Sequence, residues 1–261
     1  MERIDLQNIK HSIKLGSDCP HIKPNVTRDT IFYLDGEPLG FYIKNIKGMV
    51  KKFAAICNAE FKSDRVPKQN MLRTNGEPAL MHDKGILEVQ QYCTILGGMI
   101  PKPHMSRPYP SMNSTHQHKG AETFIKAMLL TCRESEGILK KHLPTIYKKQ
   151  TELMKNVPEK WRFGKLFTSS ISNYNISAKY HTDGSNIKGA VNIIITKRFD
   201  SKGGCLSIPD YDLAIECADN SMIVYPAYKN MHGVTPIEAG SSKGYRNTFI
   251  FFALQGFQNY A

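Results

Sequence analysis

The chain has 261 residues, 41% of them apolar, and carries 35 Lys and Arg against 23 Asp and Glu, a net charge of +12. That length and apolar content suit one folded domain with a real core and exclude a chain too polar to collapse. The opening residues Met1-Glu2-Arg3-Ile4-Asp5-Leu6 show no basic-then-apolar leader, and no apolar run approaches a membrane span. The expectation is therefore an intracellular protein, cytoplasmic or nuclear, that is neither secreted nor in a membrane. Cys19, Cys57, Cys93, Cys132, Cys205 and Cys217 form no C-x-x-C pair and read as reduced thiols.

Residues 31–43 read as a hairpin about an Asp35-Gly36 turn. Residues 48–61 have helical spacing, with Val50, Phe53, Ala54 and Cys57 on one face. From 96 to 120, the Gly97-Gly98 pair followed by Pro101, Pro103, Pro108 and Pro110 predicts a long loop. Lys102, Arg107 and Tyr109 are candidate substrate contacts there, set against a plain solvated loop. His116-Gln117-His118 is a rival metal pair, but no carboxylate or strand accompanies it. Residues 121–156 predict helix broken at Pro144, with Lys140, Lys141, Lys148 and Lys149 on a solvated face.

From Phe167 onward the pattern changes to short strands at 167–173, 190–196, 205–208, 222–225 and 245–254, separated by Gly, Pro, Asn and Asp turns. Such spacing predicts a two-sheet jelly roll. The expected fold is α+β, a single domain over residues 1–261. Its jelly-roll core, a double-stranded β-helix, covers 166–261, and a mainly helical N-terminal elaboration with a hairpin covers 1–165 and buttresses one sheet.

Within that core lies the order His181-Thr182-Asp183, then His232, then Arg246. Two histidines and one carboxylate can hold one face of a ferrous ion and leave the other face open. His181 and Asp183 sit two apart, so in extended backbone both side chains leave the same side. His232 lies in the run 221–235, which reads as a strand turning back past the site, anchored by Met222, Ile223 and Val224; Gly233 would let backbone pass close to a metal or cosubstrate. Two open iron positions would take one end of 2-oxoglutarate, leaving its far carboxylate for a cation. Arg246 opens the strand-like run 246–252, and a guanidinium grips a carboxylate bidentately as no lysine can. Thr248 points to the same face and adds a hydroxyl. A lone H-x-D is common by chance; the whole ordered set is far more demanding.

Several stretches together resemble a known family: 167–174, Tyr180-His181-Thr182-Asp183, Gly203-Gly204-Cys205-Leu206-Ser207-Ile208-Pro209, His232-Gly233-Val234-Thr235-Pro236-Ile237 and Gly244-Tyr245-Arg246. They look like the oxygenase domain of the TET/JBP family, in its small phage and fungal form. These are Fe(II)- and 2-oxoglutarate-dependent enzymes that oxidise the 5-methyl group of pyrimidines in nucleic acid. The resemblance spans 167–254 and, more weakly, the hairpin 31–40. It implies iron held by His181, Asp183 and His232, with 2-oxoglutarate and O2 as cosubstrates and Arg246 on the distal carboxylate. Asn173 and Tyr174 match the strand leading to the H-x-D and would line the cosubstrate or base pocket, although an Asn-Tyr pair also reads as packing and turn chemistry. The chain lacks the cysteine-rich zinc region of animal TET proteins and has no room for the separate base-binding domain of JBP proteins.

The resemblance implies hydroxylation of a pyrimidine 5-methyl group in DNA, 5-methylcytosine before thymine. Residues 1–160 carry 25 Lys and Arg against 16 Asp and Glu, so most of the positive excess lies outside the core and suits a polyanion partner. A duplex base would have to flip out to reach a buried iron, with Tyr228 and Lys229 as rim candidates. No obligate protein partner is evident. Two other classes fit the same residues: a 2-oxoglutarate oxygenase acting on a protein side chain or small molecule, and a non-catalytic jelly-roll binding protein in which the trio is a coincidence.

Overall fold

The computed structural model describes residues 1–70, 91–101 and 109–260. In the first part of the chain these form β1 (Glu2–Leu6), β2 (Thr30–Leu34), β3 (Glu37–Ile43), α1 (Met49–Lys62), β4 (Gln69–Asn70), β5 (Tyr92–Met99), β6 (Ser111–Met112), α2 (Glu122–His142) and α3 (Pro144–Met154). The rest supplies β7 (Ser169–Tyr174), β8 (Ala178–His181), β9 (Asn192–Phe199), β10 (Ser201–Gly203), β11 (Leu206–Ile208), β12 (Leu213–Ile215), β13 (Ser221–Tyr225), β14 (His232–Val234), β15 (Ile237–Ala239) and β16 (Tyr245–Phe252).

A large sheet runs in the order β1-β2-β3-β13-β9-β16-β7-β5-β4, with β6 on β5, and a smaller one runs β12-β11-β14-β8. The period-two alternation of each strand decides what lies on either side. On β9, Ile193 and Ile195 join Met222 and Val224 of β13 and Phe249 and Phe251 of β16 in a core shared with Val50, Ala54 and Cys57 of α1 and Phe124 and Met128 of α2. On the opposite face Ile194, Ile223 and Tyr225 meet Leu206, Ile208, Leu213 and Ile215 of the small sheet. The large sheet is thus apolar on both faces, with helices on one and the second sheet on the other. Pro144 stands at the first turn of α3, where its missing N–H costs nothing, so the predicted break starts a new helix.

Three expectations change here. The part before residue 166 holds more than helices and one hairpin: β1, β4, β5 and β6 also come from it, and β3 pairs directly with β13 in the middle of the large sheet, so it extends that sheet as well as buttressing it. Strand β5 already occupies Tyr92–Met99, so the loop predicted from residue 96 begins later; pairing with β7 from Tyr92↔Tyr174 to Gly97↔Ser169 outweighs the Gly97-Gly98 signal. Finally, 221–235 is two strands in two sheets, since β13 pairs with β9 whereas β14 pairs with β8 and β11. Lys102 and Arg107 lie outside the described residues.

Candidate metal centre

Strands β8 and β14 run antiparallel with His181 directly opposite His232, so the register of two short strands sets the imidazoles side by side, ring centroids 4.3 Å apart. β8 ends at His181, and the chain then bends so that the Asp183 N–H bonds the Ala227 carbonyl at 3.1 Å. Asp183 Oδ1 consequently stands 3.7 Å from His181 Nε2 and 4.0 Å from His232 Nε2. The three ligand atoms lie within 4.8 Å of one another, and theirs is the one such cluster among the described residues. Two metal bonds of about 2.1 Å join atoms up to about 4.2 Å apart, a limit that both Asp183–histidine distances meet.

The tautomers are fixed by the backbone. His181 Nδ1 is 2.7 Å from the Lys179 carbonyl and His232 Nδ1 is 3.0 Å from that of Asn230. A carbonyl only accepts, so each Nδ1 carries a hydrogen, and in the neutral imidazole a metal requires it is Nε2, the atom turned toward Asp183, that offers the lone pair. Burial, and next the nearness of His181, push His232 below the ordinary histidine value and so favour the neutral form a metal requires. Exposure is graded: the His232 side chain is 5% exposed, Asp183 32% and His181 46%, leaving the cluster open on one flank.

Several residues that sequence reasoning passed over hold this arrangement. Asn192 Nδ2 donates to Asp183 Oδ2 at 2.9 Å, and Asn186, itself 3.0 Å from Asn192 Oδ1, adds a weaker contact at 3.4 Å. Oδ2 is thereby occupied and Oδ1 left for the histidines. Asp210 accepts from Asn230 Nδ2 at 2.9 Å and from the Met231 N–H at 3.1 Å, stiffening the turn into His232. The Tyr225 ring meets the His232 ring edge-on at 5.3 Å. Asn186, three residues past Asp183, had a readable signal as a turn closer; Asn192, at the head of an apolar run, had none.

A cavity of about 290 Å³ opens beside the trio, walled by Ile194, Leu206, Val234, Ile250 and Phe252, with Asn173 also on its lining. Arg246 and Thr248 share the inner face of β16 with Ile250 but lie beyond that lining. Arg246 is 3% exposed, its Nη2 rests on Cys217 Sγ at 3.3 Å, and its Nε has no hydrogen-bond partner. No Asp or Glu pairs with it among the described residues. Directly across the strand pair stands Arg198, whose guanidinium is committed to the carbonyls of Ser201, Gly203 and Cys217. A Cβ on Gly204 would overlap Arg246 Cδ and approach its Nε to 2.8 Å, so the bare backbone there makes room for the arginine.

The other predicted residues fare differently. Thr248 is buried and donates to the Asn173 carbonyl at 3.4 Å. Tyr174 belongs to the other face: it stacks on Tyr245 at 5.6 Å and on Phe61 at 6.2 Å, as strand alternation requires when Asn173 points inward. It lines neither the metal centre nor its cavity. The space beside Gly233 is filled by Cys19 and Tyr180 and not by a metal. His116 Nδ1 accepts the Gly97 N–H at 3.1 Å and packs against Phe163, while His118 is exposed, so these two form no metal site. Tyr109 is 59% exposed. Tyr228 is half-buried and Lys229 exposed, in the turn between β13 and β14.

No protein-family model and no curated protein matches the sequence. Among solved structures, NgTET1 in complex with 5mC DNA aligns over 95% of this chain and 84% of its own, with a TM-score of 0.61 at 13% identity. The chain has the fold of NgTET1. Weaker likenesses include a 2OG-Fe(II) oxygenase family protein from Burkholderia pseudomallei, at TM-score 0.43 and 12% identity over 82% of each chain. Another is a Pseudomonas putida prolyl-4-hydroxylase, at TM-score 0.39 and 10% identity over 83% of this chain and 92% of that one. No helix among the described residues is long and apolar enough to cross a membrane.

Proposed function

We propose that the protein is an Fe(II)- and 2-oxoglutarate-dependent dioxygenase that hydroxylates the 5-methyl group of a pyrimidine base in DNA, 5-methylcytosine before thymine. The observation that carries this reading is a conjunction inside one sandwich. Two histidines held at Nδ1 turn their Nε2 atoms toward a held carboxylate, and a buried arginine without an acid partner among the described residues stands on the same inner side. His181, Asp183 and His232 fit a ferrous ion, and Arg246, with Thr248 beside it, fits the distal carboxylate of 2-oxoglutarate. Iron and 2-oxoglutarate, when bound, supply with O2 the oxidant that breaks a methyl C–H bond, which no side chain can do.

The chain's own residues bind, orient and exclude. Asn192 and Asn186 keep Asp183 turned toward the histidines, and the Ile194, Leu206, Ile250 and Phe252 wall keeps water from the reacting methyl. Loss of the Asn192 amide is expected to weaken iron binding about 10- to 100-fold, the usual cost of removing an outer-shell partner. Anaerobic Fe(II) titration of Asn192→Ala measures it, and an unchanged affinity would remove Asn192 from the site. The cavity approaches the size of small-ligand pockets, about 300 Å³ and up, so a base has to enter it out of the stack. The net charge of +12 and the fold shared with a protein solved on 5mC DNA support a DNA substrate.

Mass spectrometry of nucleosides provides the test, using DNA that contains 5-methylcytosine and thymine, incubated with the protein, Fe(II), 2-oxoglutarate and O2. A hydroxymethyl base is expected, and none from His181→Ala. Iron-loaded protein that leaves both bases intact would transfer the site to a protein or small-molecule substrate.

A further inference from the structure

The chain between β1 and β2 crosses the outside of the small sheet and is tied down beside His181. The Ser17 N–H bonds the Lys14 carbonyl at 3.2 Å around Gly16, whose φ is +85°, which makes Lys14-Leu15-Gly16-Ser17 a type II turn with glycine where that turn needs it. Ser17 Oγ closes on the same carbonyl at 2.6 Å. Two further bonds, Gly16 N–H to the Tyr180 carbonyl at 2.7 Å and Tyr180 N–H to the Ser17 carbonyl at 2.9 Å, clip the turn onto the edge of β8. A firmly held turn therefore offers Leu15 at its tip, 64% exposed, the most exposed large apolar side chain among the described residues.

Burying Leu15 would gain free energy, yet the fold holds it out in water. A shallow groove lined by Leu15, Gly16, Lys179, Tyr180, His181 and Thr182 runs from this tip to the candidate metal centre, sharing His181 with the cavity. Its flanks are basic, through Lys14 and Lys179; the contact of Lys179 with Asp18 at 3.3 Å is an exposed pair of little weight that a phosphate can displace.

Resting on the function proposed above, we infer that this turn enters duplex DNA, with Leu15 as a wedge that fills the space left by the extruded base and Lys14 and Lys179 on the neighbouring phosphates. An apolar side chain on a rigid support, flanked by cations, is what unstacking a base step requires. It makes Leu15 a positioning residue for duplex substrate and gives it no task on a single strand, where no stack has to be opened.

The test compares wild type, Leu15→Ala and Leu15→Phe on the same methylated sequence as duplex and as single strand. A second readout, without O2, is the fluorescence of 2-aminopurine placed next to the target base, which rises on unstacking. Leu15→Ala is expected to lower the duplex-to-single-strand rate ratio about tenfold and to lose most of the fluorescence rise, with Leu15→Phe retaining both. Because Leu15 is exposed, its truncation leaves the fold intact. An unchanged ratio and signal in Leu15→Ala, or no fluorescence rise in wild type, would overturn the wedge. A wild-type rise that Leu15→Ala loses, with no oxidised base formed, would uphold the wedge and defeat the methyl-oxidation reading.

Discussion

Asp183→Ala is expected to abolish tight iron binding and turnover, each falling by more than about 100-fold, the upper end of the loss for a mere outer-shell partner. Asp183 is the one anionic member of the trio, and its Oδ1 is the atom both Nε2 lone pairs face, at 3.7 and 4.0 Å. Two neutral imidazoles alone give a divalent ion neither charge compensation nor a third point to fix its open face. The fold should hardly notice. Asp183 is about a third exposed at 32%, and its amide partners Asn186 and Asn192 still bond each other at 3.0 Å. Melting of the metal-free protein should therefore shift by no more than a few degrees, as about 1 kcal/mol would give in a chain of this length. Anaerobic Fe(II) titration and succinate release read the first effect and calorimetry the second. Metal binding equal to wild type would show that the trio is not the ligand set.

How much of this was legible beforehand depended on whether the signal was local. The hairpin about Asp35-Gly36, helix α1 and the break at Pro144 were readable because turn chemistry and helical spacing act within a few residues. His181, Asp183 and His232 were named from residue type and order, and the fold does bring them together. The second half of β5, residues 96–99, reads as loop in the sequence because its reason to be extended is pairing with β7, more than 70 residues away. Tyr174 parts from Asn173 for a sharper cause: strand alternation sends neighbours to opposite faces, and the sequence alone does not say which of the two faces the metal-centre cavity. Asn192, Asn230 and Asp210 carry no motif. Their importance comes from distances set by the two sheets, as with the bond from Asn192 to Asp183 nine residues before it.

Removing the Arg246 charge should act in two opposite directions. A guanidinium that is 3% exposed, unpaired at Nε and faced by Arg198 costs stability while no anion is bound. Arg246→Met is therefore expected to raise the melting temperature of the cosubstrate-free protein, by roughly 2–10 °C if the gain is about 1–4 kcal/mol. The same variant should lose the thermal stabilisation that 2-oxoglutarate is expected to give wild type through binding linkage. Arg246→Lys keeps the charge but not the planar fork, and its KM for 2-oxoglutarate should rise about 100-fold or more, the equivalent of about 3 kcal/mol. Gly204→Ala leaves Arg246 in place chemically but puts a methyl where its Cδ and Nε now pass, and should reproduce the KM defect. Melting curves with and without 2-oxoglutarate, together with succinate kinetics, separate the three variants. If Arg246→Met melts below wild type without cosubstrate and still shows the full 2-oxoglutarate shift, the arginine is a structural residue and the anion is held elsewhere.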